Sequence, residues 1–370
     1  MANSKKTKSA RLRRITAIAA AGLIIAAGLF VFLFRDEIGG LLGAGNGADR
    51  GTAWTFEAGA SQVFAAAGNG LATASSTGLQ LLDADGYTVV RSICSLDTPA
   101  LAVSDKLAAA FDIGGKTLRV ADFDGNVTEM DTEGVIISVT MNRDGFMAVT
   151  TSEAGYKGLV TVYDPSLQAI YEWYSGEGYP LTACVSPDGK SLATLTADAD
   201  GGRVHIFSLS SSDEKGTYFA EGELLFDLGW MDSGRLCAVS ETRAVFIDGT
   251  GEAAGEYGFG GMYLTDYSFG GSGFLTLALS KYLSANASVM ITVGDSGEQL
   301  GQTDTSSELK GISVSGKQVL AYYSDGLALY SQTLNRSGGI TDVQNLKKAL
   351  IRPRGDVVMI YTATAQIASP

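Results

Sequence analysis

From residue 52 onward no stretch carries the three-to-four-residue apolar spacing of an amphipathic helix. Short β-branched and apolar runs alternate instead with Gly, Asp, Asn and Ser clusters, the pattern of strands and turns. The clearest unit lies at 181–224. It reads Leu-Thr-Ala-Cys-Val, a turn at 186–190 (Ser-Pro-Asp-Gly-Lys), Ser-Leu-Ala-Thr-Leu-Thr, a loop at 197–202, Arg-Val-His-Ile-Phe-Ser-Leu, a polar turn, and Gly-Thr-Tyr-Phe-Ala. That spells four strands, a to d.

The same grammar recurs along the chain. An a–b turn is expected at 68–70, 104–106, 143–145, 187–189, 232–234, 271–273, 315–317 and 352–355, with 36 to 45 residues between neighbours. Turns of c–d type fall at 83–86, 122–125, 248–251 and 295–297. A period near 40 with four strands per period is the mark of propeller blades. Runs such as 274–279 (Phe-Leu-Thr-Leu-Ala-Leu) and 357–361 (Val-Val-Met-Ile-Tyr) are apolar on both faces. A free-standing antiparallel sheet would keep one polar face, whereas blades bury both.

These units predict an all-β fold, a β-propeller of about eight four-stranded blades, with seven as the alternative count. The last unit, from Leu346, has room for about three strands, and 52–57 is a strand without a unit. The economical solution is that 52–57 supplies the outer strand of the last blade and closes the ring, leaving no open edge.

The N-terminus has a different pattern. Residues 15–34 contain no charge, preceded by Lys5, Lys6, Lys8, Arg11, Arg13 and Arg14 and followed by Arg35, Asp36 and Glu37. About 20 apolar residues are what a helix needs to cross a bilayer. The positive-inside rule then places 1–14 in the cytoplasm and all that follows 37 outside. A cleaved signal peptide is the alternative, but its apolar region is usually shorter. Residues 35–51 read as a Gly-rich stalk, and 52–370 as the extracytoplasmic body. The stalk's Gly-rich residues 38–51, fourteen in all, span roughly 20 Å.

Composition sharpens this picture. Net charge is −13, but residues 1–35 hold seven basic and no acidic side chains, leaving the remainder at −20. So acidic a body repels phosphate backbones, which argues against nucleic acid as a partner. The turn Val-Ser-Pro-Asp-Gly-Lys at 185–190 resembles those of TolB and WD-repeat propellers, although Trp-Asp dipeptides are missing. The whole arrangement of basic tail, single helix, Gly-rich stalk and propeller resembles an uncharacterised family of Gram-positive membrane-anchored propellers, a domain of unknown function. That resemblance implies a fold and a location, and no activity.

Candidate chemistry is sparse. His205 is the single histidine and sits mid-strand between Val204 and Ile206. It reads as structural, since a His-rich metal site needs several such ligands. Cys94, Cys184 and Cys237 each sit in an apolar run and read as buried small hydrophobes. The Asp-x-Asp-Gly turns at 83–86 and 122–125 resemble fragments of calcium loops but lack the further oxygen ligands, and hairpin turns account for them. No P-loop, dinucleotide motif or nucleophile elbow is present. No cofactor and no metal are expected. What remains is a set of aromatic side chains in loops: Tyr156, Tyr174, Tyr179, Phe259, Tyr263 and Tyr282, with Met262 beside them. Rings among glycines suit protein or glycan contacts, and folding back as local packing is the alternative.

Two functional classes follow. One is a non-catalytic, membrane-tethered protein-binding or scaffold propeller of the cell envelope. Its partner, an envelope protein or glycan, would meet the membrane-distal face. The other is an extracytoplasmic glycan or small-ligand sensor, or a lyase-type enzyme using the central funnel. Converging Asp, Arg and Tyr side chains in that funnel would favour the second.

Overall fold

The computed structural model describes residues 54–59, 61–231, 234–283, 286–305 and 307–369. The expected basic tail, transmembrane helix and stalk lie outside the described residues. Eight antiparallel sheets of four strands make up the body, so the blade count is eight. Blades 1 to 7 span 63–93, 99–129, 136–175, 179–221, 225–258, 263–304 and 309–341. In each the chain runs a-b-c-d from the innermost to the outermost strand. Blade 8 takes strands a to c from Lys348–Ile351, Val357–Ile360 and Thr364–Ala368, and its fourth strand is Trp54–Thr55. There Trp54 pairs with Ala365 and Thr55 with Thr364. Of the expected 52–57, residues 52 and 53 lie outside the described residues, Trp54 and Thr55 pair regularly, and the Phe56 amide also donates to the Ala363 carbonyl at 3.1 Å.

The burial gradient across a blade follows from that order. Strand b of blade 6, Phe274–Ser280, is buried at every position, whereas strand d of blade 3, Ala169–Ser175, is exposed at alternate ones. Middle strands are covered by neighbouring blades on both faces, which explains their unbroken apolar runs.

The a–b turns fall where the turn residues place them, with 232 and 233 of blade 5 outside the described residues. Their chemistry is local. The Asn142 side-chain oxygen accepts the amides of Gly145 (3.0 Å) and Phe146 (2.9 Å), closing the turn of blade 3. The c–d turns use Asp in the same way. Asp83 Oδ1 accepts from the amides of Asp85 and Tyr87, both at 2.9 Å. Asp122 Oδ1 accepts from Asp124 (3.0 Å) and Asn126 (2.8 Å). These are Asx turns, and Oδ1 of Asp83 and of Asp122 is engaged by the turn itself. Gly86, at φ +86°, has a second constraint, because a Cβ there would lie 1.9 Å from the Trp54 ring.

Every junction between neighbouring blades carries at least one hydrogen bond near the axis. Around the ring these are Gly68 N to Ser104 O, Asp105 N to Arg143 O, Asn142 Nδ2 to Ser186 O, Trp230 Nε1 to Cys184 O, Tyr267 Oη to Asp227 Oδ2, Ile312 N to Asp266 Oδ2, Ile351 N to Ser313 Oγ, and Lys348 Nζ to Phe64 O. At the junction of blades 8 and 1 stands Arg352, whose side chain is fully buried. Its guanidinium pairs with Asp356, donates to the carbonyls of Asn69 and Ala84, and lies 5.0 Å from the Trp54 ring centroid. A buried cation requires such complete partnering.

Candidate binding face

A propeller has two faces. One carries the a–b and c–d turns, the other the b–c and d–a loops. Fourteen large apolar side chains stand out as exposed among the described residues. Only Tyr87, Val127 and Ile170 lie at the a–b/c–d end. The other eleven are Ile93, Ile113, Val135, Tyr156, Tyr174, Tyr179, Phe219, Leu224, Tyr263, Tyr282 and Leu283. All of these belong to b–c or d–a loops or to the strand ends that enter them.

The expected aromatic residues divide unevenly. Tyr282 (72% exposed) and Tyr263 (44%) stand out on blade 6. Tyr156, Tyr174 and Tyr179 come together at blades 3 and 4. The rings of Tyr156 and Tyr174 lie 4.9 Å apart between centroids, tilted by 50°. Lys157 Nζ stands 4.8 Å above the Tyr179 ring. The Tyr174 hydroxyl donates to Glu172 Oε2 at 3.1 Å, and this bond with the charge of Glu172 raises its phenol pKa. The d–a loop beneath is pinned by Ser175, whose hydroxyl reaches the carbonyls of Glu177 (2.9 Å) and Gly178 (2.8 Å).

Phe259 departs from the expectation of an exposed ring. It is 1% exposed and packs with Met231, Phe246 and Leu277. The cause is the turn that follows: Gly260 and Gly261 both take positive φ, the Met262 amide donates to the Phe259 carbonyl, and the Phe259 amide is bound to Thr242 O. The ring is thereby directed inward, and Met262 is only partly exposed beside the same cluster.

The central strands do carry charged groups, and Asp227 and Asp266 both have structural partners. Bulges after Leu225 and Leu264 precede Asp227 and Asp266, and bulges re-aim side chains. Asp227 accepts from the Leu228 amide (2.8 Å) and the Tyr267 hydroxyl (2.6 Å). Asp266 accepts from the amides of Tyr267 (2.8 Å) and Ile312 (2.9 Å). Burial raises the pKa of both carboxyls and of the Tyr267 phenol, and lowers that of Lys348. Sequence reasoning missed this group, since nothing in an Asp-Leu or Asp-Tyr dipeptide announces a neighbouring blade.

The remaining candidates are placed as follows. His205 bridges Glu214 (2.8 Å) and Thr196 (3.3 Å) against the Trp173 ring, a packed and bonded position. All three cysteines are free. Cys184 and Cys237 are fully buried, and burial pushes their thiols well above the usual range. Cys94 differs from the expectation: it is half-buried in the d–a loop just past strand Thr88–Ile93. Among the described residues no group of His, Cys, Asp or Glu is placed to hold a metal ion. A cavity of 430 Å³ between blades 2 and 3 on the a–b/c–d face is lined by Asp105, Lys106, Asp122, Phe123, Asp124 and Asp144.

A model of a family of unknown function, DUF5711, matches residues 51–337. The chain belongs to this family. The match runs from the first strand to the outer strand of blade 7. No curated protein matches the DUF5711 chain in sequence. Among solved structures it is similar to the C-terminal WD40 domain of Sif2, at 11% identity and a TM-score of 0.61, over 87% of this chain and 98% of that one. It is also similar to BamB from Moraxella catarrhalis, at 12% identity and a TM-score of 0.56, over 86% and 98%. Such distant likeness carries the propeller fold and nothing finer.

Proposed function

We propose that this DUF5711 protein is a non-catalytic, protein-binding scaffold of a Gram-positive cell envelope, held at the membrane by a helix over 15–34. The observation that carries this reading is the two-faced surface, with eleven of fourteen exposed large apolar side chains at the b–c/d–a end. Tyr and other large rings are the side chains that anchor protein interfaces. The charge pattern around 15–34 supports an outside location for the body.

The orientation follows from the same reading. Trp54 meets Arg352, of an a–b turn, and Gly86, of a c–d turn. Both contacts lie at the a–b/c–d face, which leaves the b–c/d–a face as the proposed working face. In this reading Trp54–Thr55 closes the ring. A catalytic or sensing channel finds less support, because Asp227, Asp266, Tyr267 and Lys348 are each bonded to a neighbouring blade or strand.

The test is site-specific photocrosslinking in native membranes. A crosslinker at Tyr156 or Tyr282 is expected to capture a discrete envelope partner, and one at Tyr87 or Asp124 is not. Capture confined to Tyr87 and Asp124 would reverse the working face. Added protease should release the body from wall-stripped cells while sparing residues before Ile15.

A further inference from the structure

We propose that the tyrosine cluster of blades 3 and 4 is a docking site for a cationic protein segment, one that presents arginine or lysine to the Tyr156–Tyr174 pair. This rests on the scaffold reading above and names the chemistry of the partner.

Three observations carry it. The first is the ring pair itself, with its 4.9 Å spacing and both members well exposed, Tyr156 at 53% and Tyr174 at 42%. The pair presents π-faces to solvent, and a cation within about 6 Å of such a face is attracted by the ring quadrupole.

The second is charge. Glu172 accepts the Tyr174 hydroxyl, and the carboxylates of Glu172 and Glu153 both act on that phenol. Two carboxylates, Glu172 and Glu153, thus act at the ring pair, while the ammonium of Lys157 lies over Tyr179. The sequence from residue 36 onward carries a net charge of −20. An approaching basic segment is steered toward the body, and the rings determine where it settles.

The third is internal. Lys157 already lies over Tyr179, 4.8 Å from its centroid. The b–c loop of blade 3 thus satisfies one ring of the cluster with a cation of its own. The same loop carries Tyr156 beside Tyr174, and no described cation is seen over either of those two rings. A partner's guanidinium there would stack on the ring plane and reach Glu172 or Glu153 in a fork, which favours arginine over lysine.

The experiment uses the full-length protein in phosphatidylcholine nanodiscs. The probes are three nine-residue peptides alternating Gly with Arg, Lys or Glu. The Arg peptide is expected to bind most tightly, the Glu peptide not at all, and added salt should weaken binding. The pairs Y156A/Y174A and E153Q/E172Q should each lose about tenfold in affinity. The pair Y156F/Y174F, which keeps both rings, should lose much less. The control pair D122N/D124N removes the same charge from the opposite face and should leave affinity unchanged. An equal loss in the control pair would mean general attraction to an acidic body and would overturn the proposal. So would unchanged affinity in Y156A/Y174A, with melting temperature showing that variant folded. If crosslinking at Tyr156 still captures an envelope partner while the peptides ignore the site, the scaffold stands and the cationic partner falls.

Discussion

Blade 3 shows at its two ends what the propeller does with two kinds of connection. At the a–b end, Asn142 closes its own turn and also donates to the Ser186 carbonyl of blade 4 at 2.8 Å. Side chain, turn and neighbour form one rigid unit. At the b–c end, Tyr156 and Tyr174 touch each other and solvent. The first end uses its polar groups to hold the ring. The second leaves large side chains well exposed to solvent. A turn that must fix geometry selects Asn, Asp and Gly, whereas a surface that must meet another molecule selects rings.

The comparison predicts that damage at the a–b/c–d face costs stability and damage at the other face costs binding. The largest effect is expected from removing 52–57, which strips Trp54 and Phe56 from the core and bares the edge of Thr364–Ala368. The melting temperature should fall far more than on deletion of 38–45. Equal melting temperatures for the two deletions would exclude closure by this strand. Next comes Arg352→Met. It leaves Asp356 without its buried partner and two carbonyls without a donor, at a cost of about 3–5 kcal/mol in urea titration. Asn142→Ala should cost about 1–2 kcal/mol and leave partner capture intact.

At the other face the triple change Tyr156→Ala, Tyr174→Ala and Tyr179→Ala should move stability by about 0.5 kcal/mol or less per site and abolish crosslinked capture. Unfolding of that variant would make these rings packing residues. The smallest effect is one of pH. Hydrogen bonds from Thr250 hold the Asp248 carboxyl below its ordinary value, so its contribution is present above the unfolded value near 4 and is lost as pH falls through the folded one. The stability advantage of wild type over Asp248→Asn should therefore shrink below about pH 4. A gap that widens in acid would contradict this assignment.

What was legible in the sequence follows the range of the physics. The turns were readable because Asx bonding and positive-φ glycine act within five residues. Blade count followed from those turns. Exposure of Tyr156, Tyr174, Tyr179, Tyr263 and Tyr282 was also readable, because each adjoins a loop. Phe259 was not, since the direction of one ring depends on two successive positive-φ glycines. The stitches at Asp227, Asp266 and Ser313 were invisible for another reason. Each joins residues about 40 positions apart, through a bulge or a register that only the assembled ring defines.

The pairing of Trp54 with Ala365 also sets a timetable. The strand that leaves the ribosome first has its partner about 310 residues later. At roughly 5–20 residues per second, tens of seconds separate the synthesis of the two. During that interval Trp54 and Phe56 have no blade to enter, while blades 1 to 7 can form from contacts within some 40 residues. With Trp54–Thr55 closing the ring as proposed, assembly would end with a single long-range event, in which Arg352 and Trp54 meet. Trp54 and Phe56, from the first strand of the body to be made, are thus the last of its core residues to be buried, and for that interval they are the ones a chaperone or a protease would find.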